Sequence, residues 1–146
     1  MNCTIDASVF VAAARATEVH HATSLDFLRR VQKQAADLYC PALVLAECAA
    51  AIARQTDQPI LAERIVALIE SLPRLLLVSL DVPLARRAAE IAIAHRLRGA
   101  DAVYAAVAKA FDATLITWDA EMLQRAPTVL PTLTPSEWIE HPSGRG

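Results

Sequence analysis

The sequence is poor in aromatic residues and glycine, and it lacks long apolar runs. Aromatic residues make up 5% of the 146 residues and there are 3 glycines, against 55% hydrophobic residues, which indicates a compact, helix-rich protein. Glu47 interrupts the longest apolar run, well before the ~20 residues that a membrane span requires. Because the N-terminus also lacks the basic start of a signal peptide, we expect a cytoplasmic protein with no membrane association.

The sequence also has few cysteines and no net positive charge. Cys3, Cys40 and Cys48 form neither a C-x-x-C pair nor an even set, so we interpret them as reduced, small apolar residues rather than a disulfide framework. The net charge of −2 and the isoelectric point near 6.1 argue against binding nucleic acid through a broad basic surface. Local arginine clusters stay possible.

Short apolar segments alternate with longer segments of helical periodicity along the chain. This alternation predicts an α/β fold of three layers, with a mostly parallel sheet between helices. The length fits a single domain over residues 1–140, followed by a tail at 141–146. The strand candidates are Cys3–Asp6, Leu38–Cys40, Leu75–Leu80, Thr114–Thr117 and a minimal Val129–Leu130.

Several element boundaries follow from capping residues. Thr23 or Ser24 is expected to cap the second helix, and Asp81 the helix that Gly99 ends. Thr134 opens a last helix with a capping box. The helix that contains Glu47 has no polar face and is expected to be buried on all sides.

Four acidic residues, each in a separate segment, have mainly apolar neighbours: Asp6, Glu47, Asp101 and Asp119. Asp6 and Asp119 follow predicted strands, at the edge where ligands collect in a parallel sheet. Asp101 begins a helix, and Glu47 lies about one and a half turns into its own. Neighbouring carboxylates repel one another, and a divalent cation such as Mg²⁺ or Mn²⁺ relieves that repulsion. The pattern predicts metal-assisted hydrolysis of phosphodiester bonds.

Each acid also has a simpler structural interpretation. Asp6, Asp101 and Asp119 stand where aspartate commonly caps a helix. Glu47 resists that explanation, although a buried acid paired only with another side chain is an alternative. The joint pattern of all four acids, rather than any one of them, favours a metal site.

Four segments, in order along nearly the whole chain, resemble the successive acidic motifs of PIN-domain ribonucleases: Thr4–Ser8, Leu45–Glu47, Leu97–Ala106 and Leu115–Asp119. Length and motif order are similar to the VapC-type toxins of bacterial toxin–antitoxin pairs. The resemblance implies a five-stranded parallel sheet, often in a homodimer, and RNA cleavage dependent on Mg²⁺ or Mn²⁺. It also implies a small antitoxin partner that binds DNA. The metal-site acids would be Asp6, Glu47, Asp101 and Asp119, with Ser8 and Thr117 as supporting hydroxyls.

Other polar residues near these motifs have weaker functional interpretations. Arg98 is the first choice for a phosphate contact, followed by Arg96 and Arg15, with a solvated charge as the alternative. His20 and His21 lack an i, i+4 partner and are expected to face solvent rather than bind metal. Trp118 could stack on an RNA base, but packing in the core or in a dimer is the favoured interpretation.

Three other functions compete with a toxin ribonuclease. A phosphoacceptor domain also gathers aspartates at strand ends, but it needs an acid pair after the first strand and a lysine after a late one, and neither is present. A PIN-like domain that only binds a partner would not need all four acids. Another metal-dependent nuclease or phosphatase on a similar sheet is the chemical alternative.

Overall fold

A parallel five-stranded sheet forms the centre of the protein, in a computed structural model that describes residues 1–141. The strand order is β3-β2-β1-β4-β5, and every neighbouring pair is parallel. The predicted α/β fold with a parallel sheet flanked by helices is therefore confirmed. The strands are β1 (Asn2–Ile5), β2 (Asp37–Pro41), β3 (Leu75–Val78), β4 (Thr114–Ile116) and β5 (Thr132–Leu133).

Eight α-helices within residues 1–141 connect and cover these strands. Along the chain α1 to α4 pack on one another and α8 packs on α2, whereas α5 packs on α6, which lies against β1, β2 and β4. No helix in the described part of the chain is long and apolar enough to cross a membrane. The helices are α1 (Ala7–Ala14), α2 (His21–Lys33), α3 (Leu43–Thr56), α4 (Pro59–Glu70), α5 (Val82–His95), α6 (Gly99–Ala110), α7 (Ala120–Arg125) and α8 (Pro135–Glu140).

The chain reverses its direction across the sheet between β1 and β4. From β1 it proceeds to β2 and β3 on one side, and it then returns to place β4 and β5 on the other. In such a sheet, ligands bind outside the carboxyl ends of the strands that flank this switch point. Ile5 pairs with Ile116 as the two strands end, so Asp6 and Thr117 emerge side by side at that crevice.

Helix α6 is the most deeply buried helix of the fold. Every residue from Asp101 to Ala108 is buried, because alanines allow the helix to lie close to the sheet. Helix α3 differs from the expectation that it would be buried on all sides. Ala46 and Ala50 are exposed, and Glu47 is only partly buried. An alanine-rich face reads as apolar in sequence but tolerates contact with water.

Two boundary predictions are wrong. Helix α2 begins at His21 with His20 at its N-cap, and Ser24 lies inside the helix, fully buried. Helix α5 ends at His95, because Arg96 takes a left-handed conformation with φ 56°. Gly99, expected to end that helix, instead begins α6.

The last strand and the edge strand β3 also depart from the sequence expectation. Val129–Leu130 follows a 3-10 turn, and the strand begins two residues later at Thr132. β3 lies at the edge of the sheet with Leu76 51% exposed, so its apolar run does not reflect burial on both faces. The caps predicted at Asp81 and Thr134 are confirmed. Apart from His141, the predicted C-terminal tail lies outside the described residues.

Candidate active site

A cleft of about 420 Å³ lies at the carboxyl ends of β1 and β4. All four acids singled out in the sequence line it: Asp6, Glu47, Asp101 and Asp119. They come from four separate elements, because β1 and β4 end there and the helices α3 and α6 begin on the same side. The remaining lining includes Ser8, Glu18, His20, Gln55 and Trp118. The fold thus brings together residues that are up to about a hundred positions apart in the chain.

Asp6 is the most enclosed of the four carboxylates. It caps α1, and its Oδ2 accepts hydrogen bonds from the Thr117 hydroxyl at 3.0 Å and the Ser8 amide at 3.3 Å. Only 6% of Asp6 is exposed. Burial raises the pKa of this carboxyl above its ordinary value, although the hydrogen bonds from Ser8 and Thr117 oppose the shift.

The hydroxyls of Ser8 and Thr117 join the two strand ends. Thr117 Oγ1 accepts a hydrogen bond from the Asp119 amide at 3.0 Å while donating to Asp6. Ser8 Oγ lies 3.5 Å from Thr117 Oγ1 and accepts from the Trp118 amide at 3.1 Å. Both residues therefore lie where a supporting role was expected.

Asp119 caps the short helix α7 and is the more solvated strand-end acid. Its Oδ1 accepts from the Met122 amide at 2.9 Å. Burial pushes the pKa of Asp119 upward, but the Met122 amide and the Arg98 guanidinium outweigh it and leave the pKa lowered. The pKa of Asp6 is therefore raised and that of Asp119 lowered, although both carboxyls lie in one cleft.

Arg98 is the cation that contacts the acidic cluster. Its Nε lies 2.8 Å from Asp101 Oδ2, and an Nη lies 2.7 Å from Asp119 Oδ2. Burial raises the pKa of Asp101, and Arg98 opposes that effect. Arg98 remains 58% exposed at its side chain. Asp101 lies in the first turn of α6 rather than at its N-cap, which is Arg98 itself.

The other two candidate arginines are placed differently. Arg15 donates to Gln55 Oε1 at 2.7 Å and lies 3.8 Å from Glu18, so it contacts two residues of the cleft wall from outside. Arg96 is exposed, and its carbonyl accepts a hydrogen bond from Arg125 at 2.6 Å. Neither lines the cleft.

Tyr104 is a site residue that the sequence analysis did not identify. Its hydroxyl donates to Glu47 Oε1 at 2.6 Å, and the residue is fully buried. Burial and the nearby carboxylates of Asp6 and Glu47 raise the pKa of Tyr104, which keeps the phenol protonated as a donor. Burial raises the pKa of Glu47 as well. The available signal was the spacing of three residues between Asp101 and Tyr104, which places both on one face of α6.

The donor chemistry of the cleft suits a hard cation. Its candidate ligands are all carboxylate oxygens, and the charges of Asp6, Asp101 and Asp119 raise the pKa values of their acidic neighbours. Within residues 1–141, no three His, Cys, Asp or Glu side chains stand at metal-binding spacing. The Arg98 guanidinium instead bridges Asp101 and Asp119. The cleft thus suits an oxygen-bound divalent ion by the chemistry and charge of its side chains, but not by their spacing in this structure.

Trp118 lies at the rim of this cleft and packs, partly buried, against the edge of the hydrophobic core. Its indole N–H donates to Ser24 Oγ at 2.9 Å, and the ring of His20 stacks on it with centroids 3.7 Å apart and planes 5° apart. His20 is exposed as expected, whereas His21 is partly buried, with its Nδ1 2.9 Å from the Ala12 carbonyl oxygen. The contact of His20 with Trp118 joins residues from distant segments and has no signal in the sequence.

Comparison with protein families identifies the fold. A family model for the PIN domain matches residues 3–127, which include all four acids of the cleft. The chain belongs to the PIN domain family. The acidic cleft is accordingly the cleft of a PIN domain, formed at the switch point of its parallel sheet.

Solved structures similar to this PIN domain agree in fold. VapC20 of Mycobacterium tuberculosis, a sarcin-ricin loop cleaving toxin, is 18% identical with a TM-score of 0.70, over 84% of this chain and 93% of that one. VapBC2 of Rickettsia felis, bound to a promoter DNA fragment, is 16% identical with a TM-score of 0.71, over 92% and 98%. FitAcB of Neisseria gonorrhoeae is 22% identical with a TM-score of 0.68, over 92% and 98%. A search of curated proteins gave no match.

Proposed function

We propose that this PIN domain is a metal-dependent endoribonuclease that hydrolyses RNA phosphodiester bonds, and that it is the toxin of a type II toxin–antitoxin pair. The observation that supports this proposal is the convergence of Asp6, Glu47, Asp101 and Asp119 in one cleft. The chain belongs to the PIN domain family, and members of this family are nucleases, which supports a nuclease activity at this cleft. A carboxylate cluster at the ends of parallel strands suits phosphodiester hydrolysis assisted by a divalent ion.

The four carboxylates would hold Mg²⁺ or Mn²⁺. When bound, such an ion supplies an activated water and stabilises negative charge on the phosphate. Asp6 is held in place by the Thr117 hydroxyl, and Glu47 by the Tyr104 hydroxyl. Asp101 and Asp119 are held by Arg98, and the proposed contact of Arg98 with an RNA phosphate would use the exposed part of the same side chain.

The proposed partners are a cognate antitoxin and a second copy of the chain. Solved relatives include VapBC2 and FitAB in complexes with DNA fragments, which supports an antitoxin partner for this chain. Exposed Val82 and Ile93 on α5 support a homodimer. A cytoplasmic location remains a prediction from the sequence, as do the RNA contacts of Arg96 and Arg15.

RNA cleavage by purified protein tests this proposal. Wild-type protein is expected to cleave RNA with Mg²⁺ or Mn²⁺ and to stop when chelator is added. Asp6→Asn should abolish cleavage while keeping the helix cap. Asp26→Asn, at a surface ion pair with Arg30, is the matched control and should remain active. Cleavage that persists in chelator and in Asp6→Asn would falsify the metal-carboxylate mechanism.

A non-catalytic PIN-like interaction domain is the second candidate. The Arg98 bridge between Asp101 and Asp119 favours it, because a guanidinium already neutralises the pair. Calorimetry with Mn²⁺ separates the two functions. A nuclease should bind Mn²⁺ more weakly after Glu47→Gln, whereas an interaction domain should show no specific Mn²⁺ binding in either form. Cleavage of small phosphate esters but not of RNA would instead indicate a phosphatase.

A further inference from the structure

The stacked pair of His20 and Trp118 is not explained by the proposed chemistry. The two rings are stacked nearly parallel, with 5° between their planes and 3.7 Å between their centroids, and both residues line the acidic cleft. His20 is exposed, and Trp118 is its one ring partner among residues 1–141. One face of the imidazole therefore covers the indole, and the opposite face is left for a further flat ring.

Trp118 is fixed relative to the acids. Its indole N–H is bonded to Ser24, which is fully buried in α2, and its amide is bonded to Ser8 in the first turn of α1. Trp118 also lies between Thr117 and Asp119 in the chain. The stacked pair is thus an ordered aromatic surface beside the carboxylates, rather than a mobile side chain at the rim.

The charge of the cleft indicates a role for the stacked pair of His20 and Trp118 in RNA binding. In the described part of the chain the lining carries five carboxylates, those of Asp6, Glu18, Glu47, Asp101 and Asp119, and no lysine or arginine. Arg98 borders the cleft but is already paired with two of these acids. Without a bound cation such a lining repels a polyanion, so contacts that do not depend on charge would add to the affinity that a bound metal ion gives for RNA. Stacking of bases on aromatic side chains is such a contact, and it tolerates any sequence.

We propose that His20 and Trp118 form a nucleobase-binding subsite, in which a base of single-stranded RNA stacks on the free face of His20 and extends the existing stack. This inference rests on the proposed ribonuclease function and names a feature of its substrate, an unpaired base next to the cleaved phosphate. A base within a duplex is stacked on its neighbours and would have to be unstacked to bind here. The subsite thus selects for single-stranded or looped RNA.

Binding without cleavage tests the subsite separately from the enzyme activity. In an Asp6→Asn background, fluorescence anisotropy compares a short labelled single-stranded RNA with a fully abasic ribose-phosphate chain of equal length. The RNA should bind more tightly by on the order of tenfold, which is the usual gain in affinity from stacking one base on an aromatic side chain. Adding His20→Ala should remove most of that ratio. His141→Ala, outside the cleft, is the matched control and should leave the ratio unchanged.

Trp118 supplies a second, optical measurement. RNA should quench tryptophan fluorescence, and Trp118→Phe should remove the quenching but keep the preference for RNA over the abasic chain, because Trp138 is buried in the core. Trp118→Leu should abolish both the fluorescence quenching and the preference for RNA over the abasic chain. An equal preference with and without His20, or no preference at all, overturns the subsite. Failure of the wild type to cleave RNA, with the preference intact, overturns the ribonuclease proposal and leaves the subsite standing.

Discussion

At the scale of single residues, each of the four predicted site acids is hydrogen-bonded to a neighbouring side chain. Asp6 is held by Thr117, Glu47 by Tyr104, and Asp101 and Asp119 share Arg98. These partners hold the carboxylates in position without a bound cation. A partner that restricts a carboxylate reduces the conformational entropy lost when an ion binds, so the partners are expected to affect metal affinity as well as stability.

Replacing Tyr104 by phenylalanine tests this positioning role. The variant keeps the buried ring but loses the hydroxyl that donates to Glu47 Oε1 at 2.6 Å. Outer-shell partners of metal ligands typically matter by 10–100-fold, so we expect Mn²⁺ to bind about tenfold more weakly. Calorimetric titration measures the affinity. Tyr39→Phe, on β2 and stacked against Phe111, is the control, and an equal loss in both variants would argue against a specific role of Tyr104.

The raised pKa of Asp6 predicts a pH dependence of stability in chelator. A carboxyl whose native pKa exceeds its unfolded value of 3.8 binds its proton more tightly when folded. Its contribution to stability is fully present below that unfolded value and is lost as the pH rises through the native pKa. Asp6→Asn should therefore have a larger free energy of unfolding than wild type at neutral pH.

Urea denaturation over a pH series measures this difference. The advantage of Asp6→Asn should shrink as the pH falls towards 3.8, because the wild-type carboxyl is then also neutral. Added Mn²⁺ should reverse the order at neutral pH by stabilising the wild type alone. An advantage that grows on acidification would contradict the assignment of burial as the main cause of the shift.

At the scale of secondary-structure elements, the site depends on the alignment of β1 with β4. Parallel pairing of Ile5 with Ile116 places Asp6 and Thr117 at the same level of the sheet. Thr117 then links the N-terminal ends of two helices, since it donates to the cap of α1 and accepts from the cap of α7. One buried hydroxyl therefore sets the relative position of two acids of the cleft.

Replacing Thr117 by valine should weaken this junction. Valine keeps the shape of threonine but removes a hydrogen bond from the buried Asp6 carboxylate, and leaving such a group short of a partner costs about 1–3 kcal/mol. Urea denaturation measures the loss. Thr117→Ser retains the hydroxyl and should recover most of the stability. If serine is as destabilising as valine, methyl packing rather than the hydrogen bond holds the junction.

At the scale of the whole molecule, α5 exposes two large apolar side chains within the described part of the chain. Val82 is 72% exposed and Ile93 is 82% exposed. They lie about three turns apart, which places them on the same face of the helix. The predicted homodimer would bury this face, at the side of the fold formed by α5 and α6.

A charge on α5 should therefore disrupt the dimer. Ile93→Lys is expected to yield a monomer, because burying an unpaired ammonium in an interface is costly. Light scattering coupled to size-exclusion chromatography measures the mass in solution. Ile60→Lys, on α4 where Ile60 is 57% exposed, is the control and should stay dimeric. A wild type that elutes as a monomer, or a dimer that tolerates both changes, would contradict this interface.

The sequence by itself determined the order of strands and helices and the segments that carry the four acids. Apolar runs, helical periodicity and cap residues such as Asp81 are local signals, so they can be identified without knowledge of the fold. Local signals failed where packing or backbone conformation overruled them. Ser24 reads as a cap but lies inside α2, and Arg96 ends α5 by taking a left-handed conformation that no local pattern indicates.

Only the tertiary structure decided which side chains meet. The pairing of Tyr104 with Glu47 spans 57 positions, that of Trp118 with Ser24 spans 94, and that of Thr117 with Asp6 spans 111. Such contacts depend on strand order and register, which are set by the packing of the whole sheet. The sequence therefore indicated the four carboxylates and the neighbouring Ser8, Thr117 and Arg98, whereas only the fold determined the Tyr104–Glu47 and His20–Trp118 pairs.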